Sequence, residues 1–101
     1  MDKNDIRDRI IGRDRDKWLK ITLNRGEDEY DQHESIYIGS GNILLHDSRG
    51  MASYKLNGTI WNDDYMSFEI YVAEEFVASL PFAYECISEI EQGSEIPRFF
   101  S

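Results

Sequence analysis

Tyr65-Met66-Ser67-Phe68-Glu69-Ile70-Tyr71-Val72-Ala73 alternates along its whole length. Met66, Phe68, Ile70 and Val72 form an apolar row, and Tyr65, Ser67, Glu69 and Tyr71 form the opposite one. Successive side chains of a strand point to opposite faces, so a period of two predicts a half-buried strand. One strand cannot bury its own apolar row, so the flanking sequence must supply the neighbours.

Upstream, Met51 to Leu56 and Thr59-Ile60-Trp61 flank Asn57-Gly58, the strongest short hairpin signal in the chain. Downstream, Ala73-Glu74-Glu75 turns into a strand over Phe76 to Leu80, with a helix over 73–80 as the rival. Pro81 suits the first turn of a C-terminal helix, with Ser79 as its cap. Phe82, Cys86 and Ile90, with Ala83 and Ile87, then make a helical stripe that Gly93 closes. The tail Ile96-Pro97-Arg98-Phe99-Phe100 is apolar enough to fold back on the domain.

Towards the N-terminus, Lys17 to Arg25 alternates, with Leu19, Ile21 and Leu23 on one side. Ile36-Tyr37-Ile38 begins a second strand, Gly39 to Asn42 turns it into Ile43 to His46, and Asp47 to Gly50 is a further turn. Asp2 or Asn4 can cap a short first helix, with Ile6, Ile10 and Ile11 on one side and Gly12 at its end. The expected fold is therefore α+β. It is a single antiparallel sheet of five to seven strands, a meander, curled or half-barrel, with a short N-terminal helix and a C-terminal helix. Met66, Phe68, Ile70, Val72, Leu19, Ile21 and Leu23 should share its core. The outer rows then carry Trp18, Tyr37, Tyr65 and Tyr71, with Tyr54 a further candidate. Either a helix covers that face or a partner does, because Tyr and Trp are enriched at interfaces.

At 101 residues, 41% apolar and 13% aromatic, the chain fits one domain with one real core, residues 1–101. A single cysteine, Cys86, rules out an internal disulfide and fits a reducing compartment. Met1 to Arg9 has no apolar run and so is not a signal peptide, and no stretch is long enough to span a membrane. A cytoplasmic protein with no membrane partner is expected.

The net charge of −9 is unevenly spread. Residues 1–25 hold eight of the eleven Lys and Arg and carry +3, whereas residues 26–101 carry −12. A body of that sign repels phosphate, so direct nucleic-acid binding is not expected. The acids concentrate in Arg25 to Ser35, RGEDEYDQHES, with Glu27, Asp28, Glu29, Asp31 and Glu34 around Tyr30.

Catalytic parts are scarce. His46-Asp47-Ser48 has the letters of a triad, but triad members converge from separate places in a fold. Asp28, Asp31, His33 and Glu34 match neither a zinc spacing nor the calcium loop, so no metal and no cofactor is expected. Cys86 reads as a core thiol, and Gly39 to Asn42 lacks the lysine of a phosphate loop.

The expectation is a small acidic protein, not an enzyme, that inhibits a basic protein, of the immunity-protein or phage-antagonist kind. Such partners are mostly nucleic-acid binders and nucleases. The partner-binding residues expected are Glu27, Asp28, Glu29, Tyr30, Asp31 and Glu34, with Tyr65, Glu69 and Tyr71 on the sheet. An assembly module acting through the aromatic face, pairing as a homodimer, is the alternative. A sugar-binding domain built on Trp61, Asp63 and Asp64 is a third.

Overall fold

The computed structural model describes residues 1–24, 33–47, 50–93 and 95, with the side chains of residues 33 and 34 excepted. Helix α1 (Lys3–Ile11) precedes seven strands: β1 (Leu19–Leu23), β2 (His33–Ile38), β3 (Asn42–Asp47), β4 (Gly50–Trp61), β5 (Tyr65–Ala73), β6 (Phe76–Ala83) and β7 (Ile87–Gln92). They form one antiparallel sheet in the order β6-β5-β4-β3-β2-β1-β7.

That order dictates curvature. β6 and β7 lie at opposite ends of the sheet, yet only Tyr84–Cys86, one turn of 3-10 helix, joins them. Four Cα steps from Ala83 to Ile87 reach at most about 15 Å. In a flat sheet six strand spacings would separate those edges by about 29 Å. The sheet is therefore curled, so that its two edge strands approach each other at that turn.

α1 fills the opening. Asp2 caps it by accepting the Asp5 N–H, and Gly12 ends it with its own N–H on the Asp8 carbonyl. Ile6 and Ile10 are buried among the inner rows of the sheet. Polar contacts hold the helix in place. The Met1 ammonium and Arg9 reach the carbonyls of Ile87 and Ile90 in β7, Lys3 lies 3.8 Å from Asp63, and Arg13 donates to the Gly39 carbonyl. Ile11, expected on the buried side, is 54% exposed.

The inner rows meet in register. Ile21 opposes Ile36 on one side and Ile90 on the other, Ile36 opposes Leu45, and Phe68 opposes Leu80. Leu19, Ile21, Leu23, Met66, Phe68 and Ile70 share one core, as expected, and the rings of Phe68 and Phe82 meet with centroids 6.0 Å apart. Val72 does not join them and is 49% exposed, because the pairing of β5 with β6 shifts between Tyr71 and Ala73 and carries it past the end of the core.

Two sequence expectations are corrected. Asn57-Gly58 makes no hairpin, and β4 runs through it unbroken. The hairpin turn favoured by Asn-Gly needs positive φ at both central residues. Among the described residues only Gly50 and Gly93 have positive φ. Asn57 is instead the extra residue of a bulge, since Leu56 opposes Ile70 and Gly58 already opposes Glu69.

The C-terminal helix over Phe82 to Ile90 is also absent. β6 continues through Pro81 to Ala83, and β7 follows the 3-10 turn. Pro81 fits a strand here for a specific reason. The Tyr84 N–H bonds the Asp64 carbonyl, which sets the even-numbered residues of β6 towards β5 and the odd-numbered ones towards the free edge. Proline therefore removes no ladder donor. The rival helix over 73–80 is likewise replaced by Glu74-Glu75 and the start of β6. The tail 96–100 lies outside the described residues.

Candidate protein-binding face

The inner side of the curled sheet is filled by apolar rows and by α1, and among the described residues no helix covers the outer side of β4, β5 and β6. Tyr65, Ser67, Glu69 and Tyr71 stand on it, as the alternation of β5 requires. The bulge organises its centre. Tyr71 Oη donates to Asn57 Oδ1 at 2.6 Å, and Asn57 Nδ2 donates to Glu69 Oε2 at 3.2 Å. Glu69 thus has Asn57 as its neighbour, and the extra residue in β4 is what brings the amide within reach.

Around this triad the face is apolar. Ile60 on β4, Tyr65 on β5 and Val77 on β6 are each a little under half exposed, and Pro81 is exposed beside them. At the β5–β6 turn, Phe76 is 71% exposed, but by the alternation of β6 it stands on the side of Ala78 and Leu80, opposite Val77. β6, FVASLPFA, carries no charged residue, and its outer edge pairs with no strand among the described residues. Acid pairs bracket the patch. Asp63 and Asp64 precede β5, Glu74 and Glu75 follow it, and all four are exposed. The two pairs stand about 30 Å apart at a strand rise of ~3.3 Å per residue.

The other outer-row aromatics are placed differently. Tyr37 is outward-facing but buried at 3% exposure, with Lys20 Nζ 6.0 Å from its ring centroid. Trp18 lies against Gly39, where even a Cβ would come within 2.9 Å of the indole. Tyr54 and Trp61 pack on the core side. Trp61 therefore does not present a stacking platform beside Asp63 and Asp64.

Of the residues expected to bind a partner, Tyr65, Glu69 and Tyr71 share this face. Glu27, Asp28, Glu29, Tyr30 and Asp31 lie outside the described residues, and so does the side chain of Glu34. Asn57, Ile60, Phe76 and Val77 were not singled out from the sequence. The uncharged run of β6 was visible there; the role of Asn57 was hidden by its resemblance to a turn.

Little among the described residues resembles a reaction centre. His46 Nδ1 lies 3.4 Å from Ser35 Oγ, and Asp47, the next residue on β3, faces the other way. Among the described residues no three His, Cys, Asp or Glu side chains converge to hold a metal. No helix of the described chain is long and apolar enough to cross a membrane. Comparison with family models, curated proteins and solved structures returned no match.

Proposed function

We propose that this protein is a non-enzymatic acidic binding protein that docks on a basic protein, of the nucleic-acid-binding or nuclease kind, and blocks it. One observation supports the reading above the others: an apolar and aromatic patch on β4–β6, uncovered among the described residues, has an acid pair at each end. Exposed acids steer a basic partner and set its orientation, while buried aromatic and apolar anchors supply the affinity. Here Tyr65, Ile60 and Val77 are the anchors, and Asp63, Asp64, Glu74 and Glu75 supply the field.

A second copy of the chain is the alternative occupant, because the β6 edge is open and free of charge. Antiparallel pairing of two such edges would bring Glu74 and Glu75 of each chain towards Glu85 of the other. That repulsion favours a basic partner over self-pairing.

The test is capture from the native host on immobilised wild type and on two variants, one with Tyr65→Ala and Val77→Ser, the other with Asp63→Asn, Asp64→Asn, Glu74→Gln and Glu75→Gln. The reading expects a basic protein whose affinity falls about tenfold or more in each variant. Its binding to wild type should weaken steeply as salt rises. A captured protein that is acidic, or that binds all three alike, would sink it. Sedimentation of the free protein as a dimer that Phe76→Ser dissociates would favour the alternative.

A further inference from the structure

The two ends of α1 differ in charge. Its N-terminal end lies beside Asp63, Asp64 and Glu85, while a pocket of about 380 Å³ opens at its C-terminal end. Among the described residues no carboxylate lines that pocket, in a chain with twenty Asp and Glu. Arg13 and Arg15 line it instead, with Ile10, Leu56 and Trp61 as apolar walls and Ser40 at the rim. Its size is that of a small-molecule site.

The two arginines are not used up by the fold. Arg13 Nη1 donates to the Ile10 carbonyl at 2.7 Å and Nη2 to the Gly39 carbonyl at 3.3 Å, which ties the helix end to the β2–β3 turn. Its Nε–H is buried and has no partner among the described residues. A buried donor without an acceptor is costly, and native structures rarely leave one so. Arg15 is exposed and takes part in no ion pair among the described residues. Burial, with the charge of Arg15 adding to it, holds the Arg13 guanidinium below its ordinary pKa. Two neighbouring guanidiniums with apolar walls and no counter-ion are suited to a ligand with a compact anionic group and an apolar body.

We infer that this pocket binds a small organic oxyanion, a carboxylate or phosphate carried on a flat apolar group. The anionic group takes the Arg15 guanidinium beside the charge of Arg13, and the apolar group lies against Trp61 and Leu56. The site adjoins the proposed docking face at Asn57, which lines both, but the contacts assigned to the ligand are not on that face.

Calorimetric titration of the full chain with phenyl phosphate, benzoate, inorganic phosphate and benzyl alcohol tests it, with the Trp61 indole N–H followed by NMR. One of the two aromatic anions should bind one-to-one and shift the Trp61 signal. Its affinity should fall about tenfold or more in Arg15→Gln, an exposed change that leaves the fold intact. Tighter binding of phenyl phosphate assigns the phosphate form, and tighter binding of benzoate the carboxylate form. The proposal is overturned if neither anion binds better than benzyl alcohol, or if Arg15→Gln binds as tightly as wild type. Inorganic phosphate binding as tightly as phenyl phosphate would overturn the apolar half of it.

Discussion

Phe68 shows how far single residues can be read. Its place in the alternation of β5 put it in the core, and it is fully buried against Phe82, at 0% exposure. Phe68→Ala should cost roughly 3–5 kcal/mol, measured by urea unfolding, because the surrounding sheet can close only partly on the cavity. Tyr84 was not legible in the same way, since the reading that assigned residues 82–90 to a helix gave it no place in the core. It is buried, and its hydroxyl donates to the Asn62 carbonyl at 2.7 Å. Burial raises its pKa above the ordinary value of 10.0, and the charges of Asp63 and Asp64 push the same way. The folded state then holds the phenol proton at a pH where the unfolded chain releases it. Stability from this group is complete below the ordinary pKa and is lost as pH rises through the folded one. Wild type should therefore lose stability above about pH 10, and Tyr84→Phe should lose less of it over the same range. Equal pH slopes for the two proteins in denaturant titrations would remove Tyr84 from the alkaline transition.

Elements were legible where one physical signal stood alone. α1 has a cap, an isoleucine stripe and a terminating glycine, and it forms where those signals place it, although Ile11, read into the stripe, faces outward. At nine residues it is too short to persist without the core it docks on. Asp2→Ala should cost about 0.5–2 kcal/mol in global stability, with early exchange of the Asp5 amide by hydrogen–deuterium exchange. If the amide stays protected, the cap contributes nothing. Two signals competed elsewhere. Phe82, Cys86 and Ile90 fit a period near four, yet Leu80, Phe82 and Tyr84 also fit a period of two, and Pro81 suits both a helix start and an edge strand. The sheet decided between them: β1 had an unpaired edge, and β7 fills it with Ile90 opposite Ile21 and Ile87 opposite Leu23. That pairing joins residues far apart in sequence, so no local pattern carries it. Asn57-Gly58 failed for a related reason, because turn chemistry reports what a backbone can do locally and the ladder with β5 required a bulge there. The same failure concealed half of the candidate face, whose Tyr71–Asn57–Glu69 contacts exist only because of that bulge.

At the scale of the molecule, charge is the property most plainly written in the sequence, and it bears on stability as well as on partners. Residues 26–101 carry −12 against only +3 from residues 1–25, so the folded chain keeps net self-repulsion. The two ion pairs seen among the described residues offset little of it. Lys3–Asp63 is long at 3.8 Å and fully exposed on the Asp side, and Arg9–Asp5 lies along the surface of one helix. Screening should therefore stabilise this protein: the melting temperature should rise as salt goes from about 10 mM to 150 mM, where the Debye length falls from about 30 Å to 8 Å. Neutralising Asp63, Asp64, Glu74 and Glu75 together removes four of the nine net negative charges at exposed positions. That variant should fold normally, melt at or above the wild-type temperature in low salt, and gain less from added salt. The same substitutions are the ones expected to weaken partner binding, so their two effects should have opposite sign. Acids that only solubilise the protein would give a variant that gains stability at low salt and binds unchanged. A variant that loses stability at low salt would show that these four carboxylates make favourable contacts within the fold, and the repulsion account would fail.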